Sequence, residues 1–125
     1  MIDQPEKTVL IVDDDAAACF IFKYAIKRQG YRIYTAANGR EGIESLHTIP
    51  KPGLILLDLM MPVMNGWEFL DELEKNPDWR MIPVVVLTAF TTDVNAIRAR
   101  QVLSKPIDLG LLLETVAHWC AASYG

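Results

Sequence analysis

Asp13, Asp14, Asp58, Thr88 and Lys105 are the residues of this 125-residue chain with the makings of a reactive site. Each stands at or just after the end of a short apolar run. Val9-Leu10-Ile11-Val12 leads into Asp13-Asp14-Asp15, Leu54-Ile55-Leu56-Leu57 into Asp58, Val84-Val85-Val86-Leu87 into Thr88-Ala89, and Val102-Leu103 into Ser104-Lys105-Pro106. Three carboxylates brought together repel one another, and each has a raised pKa unless a cation offsets them. Mg²⁺ suits such a set, because it takes a few carboxylates and fills its other positions with water, carbonyl and phosphate oxygens. A zinc site would call for His or Cys ligands, and His47 and His118 fall elsewhere in the chain order. Lys105 adds a flexible point charge, Thr88 a donor hydroxyl, and Ala89 an amide with no bulky side chain beside it. Phosphoryl transfer needs mainly positioning and charge neutralisation, so the set could hold a phosphoryl group, with Asp58 as the candidate nucleophile.

The elements that must position these residues alternate. Thr8 to Val12 reads as a strand buried on both faces, and Ala16 to Gln29 as a helix, with Cys19, Phe22, Ala25 and Ile26 at helical spacing and Gly30 as the residue just beyond its end. Tyr31 to Ala36 alternates like a strand. Asn38 and Glu41 have the spacing of a capping box for a second helix through Leu46. Gly53 to Leu57 is a third strand, Asn65 and Glu68 open a third helix, and Asn76-Pro77 ends it. Pro83 to Leu87 is the fourth strand, Thr92 to Arg100 leaves about two turns for a fourth helix, and Gln101 to Leu103 is a short fifth strand. Asp108 can cap a last helix whose apolar face is Leu109, Leu112, Leu113, Val116, Ala117 and Cys120. Right-handed crossovers then give an α/β fold of three layers, a doubly wound parallel sheet whose carboxyl edge gathers the reactive set.

Bulk properties exclude several classes. With 51% hydrophobic and 22% charged residues the composition is that of one globular domain spanning residues 1–125, with 1–6 expected as a flexible start. A formal net charge of −4 argues against direct nucleic-acid binding, and Arg98 with Arg100 reads as a solvated helix end. Cys19 and Cys120 lie far apart in apolar stretches and read as small buried thiols. No apolar run reaches membrane-spanning length, so the expectation is a cytoplasmic protein without membrane insertion, monomeric or weakly dimeric. Met60, Met61 and Met64 are expected to pack rather than to form a cofactor box, and Asp15 to cap the first helix.

Val12-Asp13-Asp14, Asp58-Leu59-Met60-Met61-Pro62-Val63-Met64-Asn65-Gly66, Leu87-Thr88-Ala89 and Lys105-Pro106 together resemble the receiver domains of two-component response regulators, over almost the whole chain. The resemblance implies a flavodoxin-like sheet order 2-1-3-4-5, an order that the general rule for these folds already exemplifies with a chemotaxis regulator of this family. It implies Mg²⁺ held by Asp13, Asp14, Asp58 and the Met60 carbonyl. It further implies phosphorylation of Asp58 by a sensor histidine kinase or a histidine phosphotransfer protein, phosphoryl contacts from Thr88, Lys105, Met60 and Ala89, and an unidentified downstream protein. Lys105-Pro106 is a candidate for a cis bond.

Two other functions compete. A small phosphatase of the haloacid dehalogenase type would use Asp13-x-Asp15 with Thr88 and Lys105, but it leaves Asp58 and its loop unexplained. A receiver-fold adaptor independent of phosphorylation would be marked by loss of an acidic or lysine position, and none is lost. Two departures from the family pattern stand out. Val102 occupies the place of a switching aromatic residue, and Thr88 and Lys105 are closer in sequence than usual, which makes Phe90 the expected moving apolar group.

Overall fold

A computed structural model describes residues 7–89 and 98–124. The chain runs β1 (Thr8–Val12), α1 (Ala16–Lys27), β2 (Arg32–Ala36), α2 (Gly39–Leu46), β3 (Leu54–Leu57), α3 (Gly66–Lys75), β4 (Val84–Thr88), β5 (Gln101–Ser104) and α4 (Leu109–Tyr124). All five strands are parallel, in the order β2-β1-β3-β4-β5.

The central strands read as unbroken apolar runs because helices cover both of their faces. Alternate residues serve the two sides. Leu10, Val12, Ile55, Leu57, Val84 and Val86 meet Leu46 of α2 and Phe69, Leu70 and Leu73 of α3. Val9, Ile11, Leu54, Leu56, Val85 and Leu87 meet Phe22 and Ile26 of α1 and Leu112, Val116 and Cys120 of α4. The three-layer reading and the strand order therefore hold.

Helix starts follow the expected chemistry, with one variation. Asp15 caps α1 by accepting from the Ala17 and Ala18 amides, and Asp108 accepts from the Leu111 amide. Asn65 and Glu68 form a full capping box on α3. At α2 only half of the box forms. Asn38 accepts from the Glu41 backbone amide, while the Glu41 carboxylate accepts from the Ala37 backbone amide and the Asn38 side-chain Nδ2 instead of the Asn38 backbone amide. α1 ends sooner than its periodicity suggests, with Arg28 as its cap, and Gly30 takes the left-handed backbone (φ +95) two residues further on.

Residues 1–6 and the candidate switch residue Phe90 lie outside the described residues, as does most of the helix expected from Thr92 to Arg100. Arg98 to Arg100 are not helical. The Arg100 amide donates to the Val84 carbonyl at 2.9 Å, which draws this stretch toward the sheet just before β5. Nor is this pair a freely solvated helix end. Arg98 ion-pairs with Asp71 and Glu74 of α3, and the Arg100 guanidinium lies 5.9 Å from the ring centroid of Trp119.

Glycine at α3's start is a packing requirement. A Cβ on Gly66 would sit 2.7 Å from both the Asp58 carbonyl oxygen and the Leu59 Cα, backbone atoms with little freedom to retreat. Gly66→Ala should therefore lower stability by about 1–3 kcal/mol, the usual penalty of overpacking. Urea unfolding checks this; a midpoint within error of the parent would show that the loop absorbs the methyl group.

Candidate functional site

β1 and β3 are neighbours in the sheet, and both end in carboxylates. The Asp58 amide donates to the Val12 carbonyl at 2.9 Å, which holds the two strand ends level. One carboxylate oxygen from each of Asp13, Asp14 and Asp58 falls within 4.8 Å of the others. Asp13 and Asp58 are buried (3% and 8% exposed) and Asp14 is exposed, so the cluster opens to solvent on one side. The donors are all oxygen, which fits a hard divalent cation and not a soft one.

Lys105 reaches the same point from the end of β5. Its ammonium lies 3.0 Å from Asp13 Oδ2 and 3.8 Å from Asp58 Oδ2. The Lys105 amide donates to the Thr88 carbonyl at 2.8 Å, which fixes the base of the side chain beside the end of β4. The Lys105–Pro106 peptide bond, whose isomer the sequence leaves open, is cis. Thr88 is 3% exposed as the last residue of β4, and Ala89 follows it at the surface. The Met60 amide donates to Asp58 Oδ1 at 3.4 Å. All five reactive residues thus converge at one edge of the sheet, with Met60 beside them.

Burial raises the Asp58 carboxyl to about 6, and Asp13 and Asp14 push the same way, against the lowering effects of Lys105 and of the Met60 amide. Burial alone would lower the Lys105 ammonium. Its hydrogen bond to Asp13 and the charges of Asp13 and Asp58 outweigh that, and its pKa is raised.

Other parts of the site carried no clear sequence signal. The Asp15 amide donates to Asp13 Oδ1 at 2.9 Å and the Asp13 amide to the Ala36 carbonyl at 3.0 Å, orienting Asp13 from both sides. The Cys19 thiol, half-buried, donates to the Asp13 carbonyl at 3.3 Å; burial and the nearby carboxylates push it up to about 11, which keeps it a protonated donor. Such contacts leave no sequence signature beyond a small residue one helical turn after a cap.

One expectation needs adjustment. Met61 and Met64 pack against the α2–α3 side of the core, but Met60 is 56% exposed. Asp15, the second acid that a haloacid-dehalogenase reading requires, is engaged in capping α1. Val102 is half-buried, pairs with Val86, and packs on the α2–α3 side. His47 and His118 stand against Trp79 and Trp119, away from the cluster. Among the described residues no helix is long and apolar enough to cross a membrane.

A doubly wound sheet with an oxygen-lined, lysine-bridged acidic pocket at its carboxyl edge defines a narrow class. The chain belongs to the response regulator receiver domain family, whose model matches residues 9–117. It is similar to the PilH protein of Pseudomonas aeruginosa (30% identical, over 86% of this chain and 93% of that one). It is also similar to the polar-differentiation response regulator DivK of Brucella anthropi (33% identical, over 88% and 93%). Among solved structures, the chemotaxis response regulator CheY4 of Vibrio cholerae superposes with a TM-score of 0.83 at 28% identity, over 92% of this chain and 99% of that one. The signal receiver domain of a histidine kinase from Syntrophus aciditrophicus gives 0.84 at 29% identity, over 93% and 91%.

The raised Asp58 pKa has a definite consequence for stability. An unfolded aspartate ionises near 3.9, so between about 4 and 6 the unfolded chain gives up its proton first, and folding weakens as pH rises. Above about 6 the full penalty, about 2–3 kcal/mol, is present. Asp58→Asn should stabilise the protein by about that amount at pH 7.5 in EDTA, and the gain should vanish below pH 4. Thermal melts across this range check it; a gain independent of pH would mean that charge at Asp58 is not the cause.

Proposed function

We propose that this chain accepts a phosphoryl group on Asp58 in a Mg²⁺-assisted reaction, and thereby switches a protein-binding surface in a two-component pathway. The observation that carries this reading is the convergence of Asp13, Asp14, Asp58 and Lys105, from three strand ends, on one point at the sheet edge. In this reading an Asp58 oxygen attacks the phosphorus of a phosphohistidine on a sensor kinase or phosphotransfer protein. The new O–P bond forms as the P–N bond breaks, and the imidazole leaves with its electron pair and takes a proton.

Asp13, Asp14, Asp58 and the Met60 carbonyl are the residues that would hold Mg²⁺, which when bound would neutralise charge on the transferring phosphoryl group. The chain's own groups do the rest. Lys105 sits within 4 Å of Asp58 and has to shift only slightly to pair with a phosphoryl oxygen in place of a carboxylate. The Thr88 hydroxyl and the Met60 and Ala89 amides are the neutral donors for the remaining oxygens. Val102, too small and stiff to swing like an aromatic ring, leaves the response to the segment that follows Ala89.

A small phosphodonor tests the reaction. With acetyl phosphate and Mg²⁺ the protein should gain one phosphoryl adduct by mass, and both EDTA and Asp58→Asn should abolish it. Adduct formation in Asp58→Asn at the parent level would place the nucleophile elsewhere. Lys105→Ala should keep the native circular dichroism while changing the lifetime of the phosphorylated state; an unchanged lifetime would remove the ammonium from the phosphoryl contacts.

A further inference from the structure

Although the chain is acidic as a whole, residues 16–40 contain five cations, Lys23, Lys27, Arg28, Arg32 and Arg40, and no carboxylate. These residues form α1, β2 and the start of α2. Lys23, Lys27, Arg28 and Arg32 are all exposed. Three large apolar side chains of α1 are exposed beside them, Phe20 (73%), Tyr24 (59%) and Ile21 (49%), the first two of them aromatic. None of these cations ion-pairs with the acidic cluster among the described residues, although Phe20 and Lys23 line a cavity together with Asp13 and Asp14.

A groove separates α1 from β2. One cavity of about 310 Å³ is lined by Phe20, Cys19, Lys23, Thr35 and Ala37, and another of about 350 Å³ by Lys23, Lys27, Tyr31, Arg32 and Ile33, with Lys23 common to both. β2 is an outer strand of the sheet, paired among the described residues with β1 alone. The Arg32 amide donates inward to Lys7 and the Ala36 carbonyl accepts inward from Asp13. In a parallel ladder alternate residues face the same neighbour, so Ile33 and Thr35 turn their amides and carbonyls outward. The groove floor is therefore a sheet edge able to take another strand.

We infer that the α1–β2 groove docks an extended acidic segment of a partner protein, which adds as a strand to β2. Its carboxylates lie against Lys23 and Lys27 at one end, and an apolar side chain sits by Phe20. Charge fixes the choice of occupant. A strand-like partner without acidic groups would forgo the attraction of Lys23 and Lys27, and a basic one would be repelled by them. Asp13 and Asp14 also line the Phe20 cavity and would repel a carboxylate there, so the partner's carboxylates must lie toward Lys27 and its apolar residue toward Phe20. Such a partner would border the acidic site at Asp13 and Asp14.

Fluorescence anisotropy with the full chain tests this, using a labelled peptide of about ten residues alternating glutamate and valine, long enough to span a strand. It should bind, with a salt-sensitive affinity that falls about tenfold or more in Lys23→Glu/Lys27→Glu. Binding should slow hydrogen exchange at the Ile33 and Thr35 amides, and Thr35→Pro, which removes an outward donor, should weaken it. Three results would overturn the inference. These are equal binding of a lysine–valine peptide, equal binding of a glutamate oligomer with no added protection at Ile33 and Thr35, and binding of phosphatidylserine vesicles with none of the peptide.

Discussion

The contact between Lys105 and the Asp13 and Asp58 carboxylates is the interaction on which the rest of this site depends. Two buried carboxylates and a third exposed one share a small volume, and their mutual repulsion must be offset for the sheet edge to keep its shape. Lys105 supplies the one cation found within reach among the described residues, and it does so across 92 residues of sequence. The offset is partial. Asp58 keeps a raised pKa, and a site whose charge is only partly compensated is suited to a divalent cation and a change of ligand.

That balance explains why the surrounding backbone is tightly tied. β1 and β3 are the most buried strands, and their shared ladder, continued by the Asp58-to-Val12 hydrogen bond, keeps the carboxylates from moving apart. The loop after Asp58 is gripped at two points. The Gly39 amide at the start of α2 donates to the Met64 carbonyl, and the Gly66 amide at the start of α3 donates to the Leu59 carbonyl. Both contacts are close enough that a side chain at either glycine would strike backbone atoms. Val63, between them, takes a left-handed backbone (φ 69) that a β-branched residue adopts only under constraint. The loop that follows Asp58 is thereby tied to the first turns of two helices.

The charge distribution separates two faces. Carboxylates gather at the sheet's carboxyl edge and on α3, whereas α1 and β2 present cations and exposed aromatic rings. The two faces meet at the cavity that Phe20 and Lys23 share with Asp13 and Asp14.

Much of this was written in local sequence. Continuous apolar runs ending in polar residues marked the strands, because a strand covered on both faces has no polar side to show, and caps at Asp15, Asn65 and Asp108 marked helix starts. The order of the pieces made the acidic site legible, since parallel strands place all their carboxyl ends together. Short-range contacts were less legible. The exposure of Met60, the half-formed box at Asn38 and the Cys19 hydrogen bond depend on where neighbouring elements finally sit, and side-chain type alone does not specify that. Arg98 and Arg100, which looked like solvated charges, are held by α3 and Trp119 because the chain bends back into the sheet at Val84. Sequence by itself thus determined the five strands, four of the helices and the residues that meet at the sheet's carboxyl edge. The tertiary structure decided which cation compensates which carboxylate, because Coulomb energy and burial depend on distances that no local pattern encodes.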